Sequence, residues 1–205
     1  MPVHGLVYYT TPSMATFLGP AQDYLVKSFL AQYMKKWIVQ YKLYRNVLFP
    51  KSLELLKQNI HPYMYACVDE TTTVDAESTL EDIILRTKLW TFRQTFNIEG
   101  AIYEVGDFTV AVANVLQKST WKGIVFHVTY DGSDDVDIAR PILQEFFDIC
   151  FFKNASAPPP VYENYFYHSR HSIDPKLFLE IFKHRADVST PSSLSQIKSE
   201  ASPVG

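Results

Sequence analysis

The sequence predicts an α+β protein in which one antiparallel, barrel-like sheet is flanked by helices in a single domain. Residues 91–130 read as three consecutive β-prone runs joined by short turns, a meander. The predicted elements on either side mix strands and helices without any internal repeat, as expected of a large antiparallel sheet with helices packed on it. Aromatic residues make up 15% of the chain and glycines number only 7. That balance favours β-rich packing and leaves little material for glycine-rich phosphate loops.

Residues 3–9 are β-prone and stop at Thr10-Thr11-Pro12. From Pro20 to Met34 the residues Tyr24, Leu25, Phe29 and Leu30 recur at helical spacing, and proline is tolerated in a first turn. Over 37–47, Trp37, Val39, Tyr41 and Leu43 fall on one face of a strand. Segment 50–59 is ambiguous, since Leu53, Leu55 and Leu56 suit a short helix between Pro50 and Pro62. Residues 62–68 and 71–75 read as a strand pair around Asp69-Glu70. Ser78 with Glu81 three residues on forms a capping-box pattern, which predicts a helix to about Leu89.

In the meander, Gly106-Asp107 supplies the glycine that a two-residue hairpin turn needs. The third strand presents Ile124, Phe126, Val128 and Tyr130 on one face and ends at Asp131-Gly132. Asp134, Asp135 and Asp137 precede a helix expected over 142–152, where acidic residues suit the positive end of the dipole. Three prolines within 154–161 form a polyproline-type connector. Asp174-Pro175 then opens a last helix with Leu177, Phe178, Ile181 and Phe182 on its core face. The domain is expected to span 1–185, with 186–205 a disordered tail that contains serine and proline.

The formal net charge is −3, which argues against direct nucleic-acid binding, where a lysine and arginine excess is the rule. The sequence has no run of apolar residues long enough for a membrane helix, and its start does not read as a signal peptide. Cys67 and Cys150 lie in apolar surroundings without a CxxC and read as buried free thiols of a reducing compartment.

The sequence carries no recognisable catalytic constellation. His168 and His171 show an H-x2-H spacing, with His184 further on, but no cysteine lies near to complete a zinc set. No Glu-x-Glu strand pair offers the inward carboxylates of a metal-dependent phosphohydrolase barrel. There is no nucleophile elbow, Walker loop or dinucleotide fingerprint. Lys122-Gly123-Ile124-Val125-Phe126-His127-Val128-Thr129-Tyr130 faintly echoes an RNA-binding strand signature, but Ile124 and Thr129 stand where aromatics are required. A buried meander strand is the better reading. Neither a metal nor a cofactor is expected, and an RNA-binding sheet or a phosphohydrolase-like barrel is the alternative kept.

The stretch 80–130 carries a denser signal. Leu85-Arg86-Thr87-Lys88-Leu89-Trp90, Arg93-Gln94, Gly100, Tyr103, Gly106-Asp107-Phe108, Val110, and Lys122-Gly123-Ile124 with Tyr130 together form a pattern. It resembles the Mediator complex subunit 20 family, the TBP-related component of the Mediator head module. The resemblance implies a β-barrel-like fold flanked by helices and a noncatalytic, nuclear role in a transcription coactivator. It also implies pairing with Mediator subunit 18, which holds the C-terminal helix of subunit 8, and contact with the RNA polymerase II machinery.

TBP-like minor-groove binding needs paired phenylalanine wedges on a basic concave sheet, and this chain has neither the repeat nor the charge. Aromatic-rich segments leave Phe92, Tyr103, Trp121, Tyr162, Tyr165 and Phe166 as candidates for a protein interface or for the core. Arg93 joins them, because a strand arginine beside Gln94 must reach solvent or find a carboxylate.

Overall fold

The computed structural model describes residues 2–10, 15–69, 72–152 and 163–168, together with Phe178 and Phe182. Its centre is one nine-stranded sheet. In chain order the strands are β1 (Val3–Tyr9), β2 (Gln32–Asn46), β3 (Ser52–Gln58), β4 (Met64–Val68), β5 (Thr72–Ala76), β6 (Trp90–Val105), β7 (Phe108–Gln117), β8 (Thr120–Tyr130) and β9 (Glu163–His168). The spatial order is β5-β4-β3-β2-β6-β7-β8-β1-β9, and all neighbouring strands run antiparallel.

The sheet is strongly curled. Strands β2 and β8 stand three spacings apart, about 14 Å if the sheet were flat. Yet Trp37 of β2 and His127 of β8 bring their ring centroids within 6.3 Å. This is the barrel-like α+β architecture expected from the sequence, with β5 and β9 as its two edges.

Helices α1 (Leu18–Phe29), α2 (Leu80–Thr87) and α3 (Val136–Phe147) pack on the sheet, and a π-helical turn (Asp148–Phe152) extends α3. On the side of α1 and α3, Val7, Tyr9, Leu25, Val112, Phe126, Leu143 and Phe147 form an almost wholly apolar core. Below α2, Ile84 packs on Tyr44, Leu53, Leu55, Met64 and Ala66. The opposite, concave face gathers Leu6, Trp37, Val39, Tyr41, Leu56, Phe96 and Ile98 around Phe178 and Phe182. These two helical phenylalanines, four residues apart, belong to the core face expected for the last helix, whose other residues lie outside the described ones.

Several expectations need correction. Helix α1 ends at Phe29, because Leu30 turns left-handed (φ 54°), and residues 32–36 already belong to β2. Segment 50–59 contains a strand. Its Leu53 and Leu55 face α2 while Glu54 and Leu56 face the concave side, so burial of both faces erases the alternation that marks a strand. The capping box does not form: Thr79 is the N-cap without a side-chain bond, and Glu81 instead receives Lys42 Nζ at 2.9 and 3.0 Å. Helix α3 starts six residues early, at Val136, because Asp135 caps it by accepting from the Asp137 backbone N–H at 2.8 Å. Pro141 therefore sits inside the helix.

The meander follows the expected turns. Gly106 adopts φ +55° between β6 and β7, a conformation that side chains with a Cβ rarely take. Gly123 has a different reason to be glycine. A Cβ there would lie 2.4 Å from the Tyr9 carbonyl and 2.5 Å from the Tyr8 ring, so β1 could not stay beside β8. The RNA-signature look-alike is an internal strand, with residues 123–128 buried between β7 and β1. Cys67 and Cys150 are buried free thiols. The 154–161 connector, Tyr162, His171, His184 and the 186–205 tail lie outside the described residues.

Candidate functional site

Two long strands build a surface cleft. β2 and β6 pair over most of their length, and a long twisted pair relieves its strain through bulges. One bulge falls where Leu43 opposes Gln94 but Tyr44 opposes Phe92, so Arg93 has no register partner and is turned out of the ladder. Tyr44 and Phe92 meet edge to face at 5.7 Å.

The loop that follows β2 is held from several sides. Asn46 Oδ1 accepts the backbone N–H groups of Leu48 and Phe49 at 2.9 and 3.0 Å. The Val47 N–H donates to the Leu89 carbonyl at 2.9 Å, and the Asn46 N–H donates to the Lys51 carbonyl at 2.9 Å.

Between this loop and the bulge lies a cleft of about 420 Å³ whose walls include Leu43, Arg45, Phe49, Pro50, Lys51 and Arg93. Arg45 and Arg93 are exposed and have no carboxylate partner among the described residues. Lys51 approaches Asp69 only to 3.7 Å, with both side chains well solvated. Such a pair contributes little and leaves the lysine available.

The concave interior is different in kind. His4 and His127 stack at 5.3 Å, and His4 Nδ1 lies 3.0 Å from the Thr129 hydroxyl. Burial, and then the neighbouring His4, hold the pKa of His127 well below the usual histidine value, so its ring is neutral at physiological pH. The Tyr41 hydroxyl is pushed far up, first by burial and then by the adjacent Glu54 carboxylate. Gln58 is 1% exposed, and neither of its amide atoms has a hydrogen-bond partner among the described residues. Phe178 and Phe182 fill the space these groups face: Phe182 stacks on Tyr41 at 4.6 Å and on Phe96 at 5.0 Å. Among the described residues no group of three or more His, Cys, Asp or Glu is disposed to hold a metal ion.

The structure does not gather the candidate interface residues in one place. Phe92 is half exposed and Arg93 lines the cleft. Tyr103 lies eleven residues further along β6, about 36 Å at strand rise, and is buried against the exposed Tyr33. Trp121 is partly buried and donates its indole N–H to Asn114 Oδ1 at 3.1 Å. Tyr165 and Phe166 belong to β9, opposite Leu6 and Gly5. Sequence reasoning missed Arg45 and Lys51, which belong to a charged cluster that only the bulge and the loop bring together.

These features define a barrel-like antiparallel α+β protein with a basic cleft at one end and a filled concave face. Residues 13–189 match the family described as the TATA-binding related factor (TRF) of subunit 20 of Mediator complex, and the chain belongs to that family. It is 67% identical over 187 residues to Mediator of RNA polymerase II transcription subunit 20 of Schizosaccharomyces pombe, covering 91% of this chain and 97% of that protein. The namesake subunit of Yarrowia lipolytica is 31% identical over 83 residues, 37% of this chain and 38% of the relative. A chain in the structure of the Schizosaccharomyces pombe Mediator head module is similar with TM-score 0.47 and 14% identity, over 80% of this chain and 100% of that one.

Proposed function

We propose that the chain serves as a noncatalytic subunit of the Mediator head module in the nucleus, and that it pairs with Mediator subunit 18. Through that partner it would share an assembly with the C-terminal helix of subunit 8 and link regulators to the RNA polymerase II machinery. Membership in the subunit 20 family across residues 13–189 is the observation that carries this reading. A second one supports it.

Large apolar side chains stay exposed at both ends of β2: Leu30, Tyr33 and Met34 at one, Val47, Leu48 and Phe49 at the other. The ends stand about 45 Å apart at strand rise, far enough for two separate contacts with neighbouring subunits. Exposed apolar clusters of this kind mark protein interaction sites in a stable assembly.

The deciding experiment is co-expression with subunit 18 followed by size-exclusion chromatography. A 1:1 peak that persists in high salt is expected from an apolar interface. Two separate peaks of folded chains would overturn the pairing.

A further inference from the structure

We infer that the cleft formed by the β2–β3 loop and the β6 bulge is a docking site for an acidic protein segment that carries an apolar anchor residue. This goes beyond the pairing proposed above and does not depend on which subunit supplies the partner surface.

Charge favours such a segment. The chain carries a formal −3, so without Arg45, Lys51 and Arg93 it would carry −6. Three cations around one cleft of an acidic protein form a local positive field that an anionic segment can read at short range. The guanidinium groups of Arg45 and Arg93 are unspent, since neither meets a carboxylate among the described residues. On the same strand face, Glu54 is buried next to Tyr41 and does not line the cleft.

Shape favours it as well. Leu43, Phe49 and Pro50 give the cleft an apolar wall, and Phe49 is 60% exposed on a loop already fixed by Asn46. A loop held in place before binding loses little freedom on binding. An apolar side chain between flanking carboxylates fits this combination. A nucleic acid fits it poorly, because a long polyanion would run past the cleft onto a surface whose remaining charge is negative.

The test uses the full chain and a fluorescein-labelled twelve-residue peptide that alternates Asp and Glu with Leu and Phe, read by fluorescence anisotropy. Saturable binding is expected, with loss of binding when every acid is replaced by its amide. The double variant Arg45→Glu with Arg93→Glu should weaken binding at least about tenfold, since it places like charges against the peptide. Both side chains are exposed, so the variant should melt with the wild type. Arg45→Gln with Arg93→Gln provides a milder version in case the reversal disturbs folding. Absence of saturable binding, wild-type affinity in both double variants, or tighter binding of a single-stranded oligonucleotide of equal charge would each overturn the proposal.

Discussion

The two faces of the sheet solve the same problem with different chemistry. The face under α1 and α3 is almost wholly apolar: Phe126 is fully buried, with Phe151 at 4.2 Å and Tyr9 at 5.8 Å. The concave face encloses His4, His127, Glu54 and Gln58 among its apolar residues and is closed by two phenylalanines from the C-terminal part of the chain. One face is stabilised mainly by the burial of apolar side chains. The other sets burial against the desolvation of polar groups, and that difference can be measured.

Phe126→Ala should give the largest effect, about 4 kcal/mol lost in urea unfolding, because its neighbours are locked in the sheet and cannot collapse onto the cavity. A loss below about 1 kcal/mol would mean that this face relaxes far more than a packed core should. Phe182→Ala should cost less, about 3 kcal/mol, since its stacking partners Tyr41 and Phe96 can move toward the space it leaves. If Phe182→Ala proved the more damaging, the concave face would be the principal core.

Acidification tests the polar residues of the same face. Well above pH 6.5 His127 is uncharged whether the chain is folded or not. Below its ordinary value of 6.5 the unfolded chain takes up a proton that the folded chain resists, first through burial and then through His4. The unfolded state then binds more protons, so stability should fall as pH drops below 6.5. Urea midpoints across about pH 7.5 to 5.5 would check this, and the variant His127→Phe should flatten the dependence.

The smallest change is expected from Gln58→Met. Removing two buried amide atoms that have no partner among the described residues, at similar volume, should be neutral or stabilising by about 1 kcal/mol. A clear destabilisation would show that the amide has a partner in solution.

Local patterns made much of this fold legible in the sequence, and tertiary burial hid the rest. The meander could be read because its turns have their own chemistry, Gly106 above all, and because its strands alternate. β3 could not be read, because a strand covered on both faces shows no period. The Ser78–Glu81 pattern misled because Lys42, 39 residues earlier in the chain, competes for the same carboxylate. Among the cleft's charges the sequence singles out only Arg93, as a strand arginine needing solvent or a partner. Arg45 and Lys51 look like ordinary surface residues until the register slip and the Asn46-held loop set them beside it.

The buried cysteines carry a practical consequence. Burial pushes the Cys150 thiol up to about 12, and Cys67 is sheltered in the concave core. With such a pKa, on the order of one Cys150 side chain in a hundred thousand is thiolate at pH 7. Maleimide chemistry on the folded chain would therefore pass over Cys150 and find Cys67 out of reach. A fluorophore could be attached at one introduced surface cysteine, at the exposed Ser119 in the β7–β8 turn for example, without first removing the two native cysteines. The fold thus comes already prepared for distance measurements within a larger assembly.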